Sequence, residues 1–93
     1  MMEFKELLMD IRKELRCADD YAKEAHKHKD EYPELSAVYH RIANDKLAHA
    51  DLLATQAKRI AEHHKMTDLW EIEWWMIRND NSEVKHCLEE YHK

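Results

Sequence analysis

Tyr39-His-Arg-Ile-Ala-Asn-Asp-Lys-Leu-Ala-His-Ala50 is the stretch in which ionisable groups fall inside an apolar helical face. At roughly 100° per residue, Tyr39, Ala43, Leu47, Ala50, Leu53, Ala54, Ala57 and Ala61 make one stripe, widened on one side by Leu35, Ile42 and Ile60. The spacing predicts a long helix with Lys46 near the middle of its apolar arc and His49 near the edge. Three residues apart, the amine and the imidazole share a face and can reach a common point across a helix interface. Two readings follow. In one, the Lys46 stem packs while its amine reaches water or a carboxylate, and His49 is a hydrogen-bonded core histidine. In the other, the pair marks the place of a metal site, intact or lost.

Around this stretch the composition is that of a helical protein. The 93 residues contain no glycine and one proline, and 38% are charged; the turn chemistry that hairpins of strands require is missing. The expected fold is all-α, a single helical domain over residues 1–93, small enough for oligomerisation to help it. Nowhere is there a run of about 18 apolar residues, and the N-terminus alternates charged with apolar residues where a signal peptide would be apolar. A soluble, cytoplasmic protein with no membrane partner is expected. Cys17 and Cys87 fit neither a disulfide framework nor a Cys-x-x-Cys metal motif, so both read as free thiols in a reducing compartment. A formal charge of −5, with bases interspersed among acids, argues against nucleic acid as a partner.

Upstream, Phe4, Leu8, Ile11, Leu15, Ala18, Ala22 and Ala25 recur every three or four residues, with Leu7 thickening the stripe. This predicts a first helix from about Glu3 to Asp30. Glu14 flanks it, and Tyr21 lies two turns further along the same side. Beyond Ala25 the chain is too polar for a core; His26 and His28 are accounted for by the dipole at a helix C-terminus. Pro33 suits the first turn of a second helix and biases Tyr32 to extended backbone. That helix is expected from Pro33 to about His64, roughly 45 Å long, and antiparallel to the first because the turn is short.

Downstream, Thr67 or Asp68 can cap a third helix, Asp68 with Glu71 as a capping box. Trp70, Trp74, Ile77, Asn81, Val84, Leu88 and Tyr91 carry its stripe, giving an expected span of Asp68 to Tyr91. A break in the polar 79–82 stretch is the alternative. Leu69, Ile72, Trp75 and Met76 make the first half of this helix apolar off the main stripe. With only two other helices to pack on, that surplus predicts an interface, with a homodimer first and another protein second.

A carboxylate and a histidine at i and i+3 or i+4 on one helix can share a metal ion. Asp45 with His49, Glu83 with His86, and His86 with Glu90 have that spacing. The pairs around His86 fall opposite the Val84, Leu88 and Tyr91 stripe and read as solvent-facing. Over the first two helices the chain resembles the ferritin-like superfamily, and within it the rubrerythrin type. There a helix-1 Glu is followed seven residues later by a Tyr, and a Glu-x-x-His-Ala follows some thirty residues beyond that Glu. Glu14 and Tyr21 match the first pair, and Lys46-Leu-Ala-His49-Ala50 stands where the second would be. The resemblance is to short bacterial and phage members of that superfamily. It implies a bundle of paired hairpins completed by oligomerisation, but Lys46 takes the position of the bridging carboxylate, and a cation repels a dication.

Three functions are therefore open. The favoured expectation is a non-enzymatic helical bundle acting by self-association or protein binding, with no cofactor and with Lys46 paired to Glu14, or next to Glu73, where the metal would sit. The alternative keeps a reduced iron, manganese or zinc site on Glu14, His49, Asp45 or Glu73. A small acidic inhibitor of a cationic partner is also compatible with the charge. Catalytic residues are not expected: Ser36 and Ser82 have no base and orienting group in the pattern that nucleophilic catalysis needs.

Overall fold

The computed structural model describes residues 2–80, and among these the chain is all-helical and has no strands. α1 spans Met2–Lys27, α2 Pro33–His63 and α3 Thr67–Asp80. The expected course of the third helix to Tyr91, the break at 79–82, the spacings around His86 and the Cys87 thiol lie wholly or mostly outside the described residues.

On α1, Phe4, Ile11, Leu15, Ala18, Ala22 and Ala25 are buried at the spacing read from the sequence, and Leu7 and Leu8 pack beside them. The helix stops at Lys27, short of the expected Asp30, because no apolar side chain after Ala25 gives another turn anything to bury. The chain then turns through bonds from the Lys29 amide to the His26 carbonyl at 3.4 Å and from the Tyr32 amide to the His28 carbonyl at 2.9 Å. α2 starts with Pro33 in its first turn and no side-chain cap, and the Ser36 amide donates to the Tyr32 carbonyl. The Ser36 hydroxyl, itself buried, reaches back to the Ala25 carbonyl. That carbonyl is in the last turn of α1, where acceptors lack partners within the helix, so one serine ties the end of α1 to the start of α2.

The end of α2 is closed by a Schellman motif: the Met66 amide donates to the Ala61 carbonyl at 2.7 Å and the Lys65 amide to that of Glu62 at 3.2 Å. Such an ending requires a left-handed residue, usually glycine. Without any glycine in the chain, Lys65 takes the position at φ 57°. Met66 packs its side chain on the core and offers its carbonyl to the Trp70 amide at 3.0 Å. Met66 thus stands where Thr67 or Asp68 was expected as the cap: the tight connection begins α3 one residue early and leaves both inside its first turn.

The larger core cluster joins Phe4, Ile11 and Leu15 with Ala50, Ala54, Ala57 and Ala61, and with Trp70 and Ile77 of α3. Phe4 and Trp70 meet edge to face at 6.3 Å. A smaller cluster, Ala18, Ala22 and Ala43 with Tyr21 and Leu47 at its margin, continues toward the Ser36 tie. α3 contributes only to the first cluster. The molecule measures 50 × 18 × 15 Å with a radius of gyration of 15.0 Å, against about 13 Å for a compact domain of this length. Its core is therefore long and thin. Among the described residues, no helix is long and apolar enough to cross a membrane.

Candidate functional site

Midway along α1 and α2, the Glu14 carboxylate faces two groups of α2. Its Oε2 lies 3.3 Å from the Lys46 Nζ and 3.6 Å from the His49 Nδ1. The same oxygen is shielded from solvent and makes no well-directed hydrogen bond. Attraction between charges, rather than hydrogen-bond geometry, is what holds it. The side chains of Lys46 and Glu14 are 30% and 25% exposed, and that of His49 is 53% exposed.

Lys46 thus lies at the margin of the apolar arc and not near its middle, and His49 is half exposed and not a core histidine. The line of α2 that faces α1 runs through Ser36, His40, Ala43, Ala50, Ala54, Ala57 and Ala61. Lys46 lies beside this line, so its stem packs while its amine meets both carboxylate and water. Leu35, expected to widen the apolar stripe, is exposed for the same reason.

The other residues considered as ligands do not gather here. Asp45 is exposed, and the Nδ1 of His49 points to Glu14. Glu73 pairs with Arg12 at 3.5 Å, linking α3 to α1. Among the described residues, no group of three or more His, Cys, Asp or Glu side chains is placed to hold a metal ion. Glu14 and His49 supply two donors, and the third group at that point is an ammonium, which repels cations.

Toward the turn, Tyr21 stacks on Tyr39 at 6.0 Å, and His28 stacks on Tyr39 at 6.0 Å. Tyr21, Tyr39 and His28 form a partly exposed aromatic row between the two helices, while a Glu24–His28 contact of 3.3 Å spans the end of α1. Cys17 is a half-buried free thiol.

The sequence reading missed Ser36 and His40. Both are buried, His40 with its Nδ1 3.4 Å from the Asn44 side-chain nitrogen. The signal was present: one heptad back from Ala43 and Leu47 lie Ser36 and His40. Their polarity hid that continuation, and the apolar Leu35 and Tyr39 were taken in their place.

α3 has two apolar faces. Trp70 and Ile77 are buried and Trp74 stacks on Trp70 at 5.4 Å. On the outer side Leu69, Ile72, Trp75 and Met76 are exposed, Trp75 by 65%. A shallow depression of about 410 Å³ opens there between Asp68, Glu71, Ile72 and Trp75. Compared with protein-family models, curated proteins and solved structures, the chain finds no match.

Proposed function

We propose that this is a non-enzymatic helical-bundle protein of the ferritin-like type that works by associating with itself, first as a homodimer, in the cytoplasm. The observation that carries the reading is the outer face of α3. A helix that is apolar on both sides belongs in a protein interior, yet Leu69, Ile72, Trp75 and Met76 meet solvent. The antiparallel sense of α1 and α2 that the reading assumes is supported by contacts that run oppositely in sequence: Ala25 with Ser36, and Glu14 with Lys46. In this reading the Lys46–Glu14 pair occupies the position of the family's metal centre and closes a polar gap between the two helices.

Sedimentation at micromolar concentration should show a species heavier than 11.3 kDa. Trp75→Glu should dissociate it and leave the helical content unchanged. A chain that is monomeric throughout, with Trp75→Glu of equal stability, overturns the proposal. One observation favours a second reading, a reduced metal site: Glu14 Oε2 and His49 Nδ1 converge at 3.6 Å. Stoichiometric iron, manganese or zinc on the untagged protein, with His49 as a ligand, would select that reading instead.

A further inference from the structure

We infer that the partner of the outer α3 face is the same face of a second copy, with the two α3 helices crossing antiparallel about a two-fold axis level with Ile72 and Glu73. The inference rests on the self-association reading and adds to it the contact surface, its direction and its register.

Three observations converge on this occupant. Leu69, Ile72 and Met76 follow the three-and-four spacing of a two-helix seam, and each is at least 44% exposed. Running antiparallel about that axis, Leu69 of one copy lies level with Met76 of the other, and Ile72 lies beside its own counterpart. The charges are self-complementary in this direction alone. Asp68 lies in the first turn of α3 and Arg78 in the last. An antiparallel partner brings Arg78 to the acidic end of the depression that Asp68 and Glu71 line, while a parallel partner would set acid beside acid at one end and Arg78 beside Arg78 at the other. Opposed helix dipoles favour the same direction.

The area decides how tight the contact is. From their exposed fractions, Leu69, Ile72, Trp75 and Met76 offer on the order of 500 Å² per copy, or about 1,000 Å² in the pair, which is the lower bound for a specific interface. Two large aromatic side chains, the Trp75 of each copy flanking the axis, then give a dimer that forms at micromolar concentration and dissociates on dilution.

Cysteine cross-linking under mild oxidation reads the geometry directly, in a chain with Cys17→Ser and Cys87→Ser. A disulfide needs Cα atoms within about 7 Å. Ile72→Cys should cross-link to itself. Leu69→Cys should not, because its two copies lie about 10 Å apart along the axis, but it should cross-link to Met76→Cys when the two proteins are mixed. Self-linking of Leu69→Cys would mean a parallel pair and overturn the inference. A dimer by sedimentation that cross-links at none of these positions also overturns it, and leaves self-association through another surface standing. A chain monomeric up to 100-fold above the micromolar range overturns both. As a second measurement on unlinked protein, Asp68→Arg should weaken the dimer about 10-fold and Asp68→Arg with Arg78→Asp should recover most of that loss; equal weakening in both would refute the pairing of Asp68 with Arg78.

Discussion

Removing either partner of the Lys46–Glu14 pair should destabilise the protein unequally, with loss of the lysine costing more. An ion pair on an open surface contributes at most about 1 kcal/mol, and breaking a buried one costs about 3 to 5 kcal/mol; this pair falls between. With Glu14→Ala, the Lys46 side chain, already 30% exposed, can turn its amine to water, so the loss should be about 1 kcal/mol or less. With Lys46→Met, the shielded Oε2 of Glu14 keeps only the more distant His49. An acceptor left without compensation in that position costs about 2 kcal/mol. Replacing both, with Glu14→Leu and Lys46→Met, removes the stranded charge and should return stability to within about 1 kcal/mol of the natural chain. Urea unfolding followed by far-UV circular dichroism measures all three, at one protein concentration because association shifts apparent stability. Equal losses, or a larger loss for Glu14→Ala, would refute the argument from the shielded oxygen. A double variant no better than Lys46→Met would show that packing of the lysine stem, not charge, is what the site contributes.

Two backbone features give further expectations. Lys65→Gly removes the left-handed strain at φ 57°, about 1 to 2 kcal/mol for a residue with a side chain, against some gain in unfolded-chain entropy; a net stabilisation of about 0.5 to 1 kcal/mol should appear as a higher urea midpoint. Ser36→Ala leaves the Ala25 carbonyl without its buried donor and should cost about 1 to 2 kcal/mol, with hydrogen exchange rising first in the last turn of α1 and the first turn of α2.

What the sequence disclosed depended on whether polarity and periodicity agreed. In α1 they did: every buried position is alanine, leucine, isoleucine or phenylalanine, and the stripe can be traced without error as far as Ala25. In α2 they disagreed at the N-terminal end of the face. Ser36 and His40 hold core positions because each finds a partner, the Ala25 carbonyl across the turn and Asn44 one turn along, which no periodic pattern encodes. Leu35 is apolar and exposed because it lies beside the buried line that starts at Ser36. The Glu14 and Lys46 pairing could be read from spacing on two helices, but its depth could not: a shift of one residue around α2 separates a lysine in the core from one at its margin. The cap of α3 was hidden for a different reason, since a Schellman ending without glycine has no distinctive residue, and Lys65 and Met66 are chosen by backbone geometry alone.

The distribution of bulk along the α1–α2 seam explains why the outer face of α3 matters to the rest. Among the described residues, eight of the buried positions of α1 and α2 are alanine: Ala18, Ala22, Ala25, Ala43, Ala50, Ala54, Ala57 and Ala61. Alanine lets two helices approach closely, but each methyl withdraws little area from water, at roughly 25 cal/mol per Å². The large buried side chains, Phe4, Ile11, Leu15, Trp70 and Ile77, all belong to the cluster that α3 joins, packed against Ala50, Ala54, Ala57 and Ala61. Stability is therefore concentrated there, and among the described residues α3 anchors through the buried Trp70 and Ile77, Trp74 packed beside them, and the Arg12–Glu73 pair. Covering Leu69, Ile72, Trp75 and Met76 with a second copy would hold α3 from both sides at once. The same contact would thereby steady the Phe4–Trp70 end of the core, so that dimerisation and the stability of α3 are expected to rise and fall together.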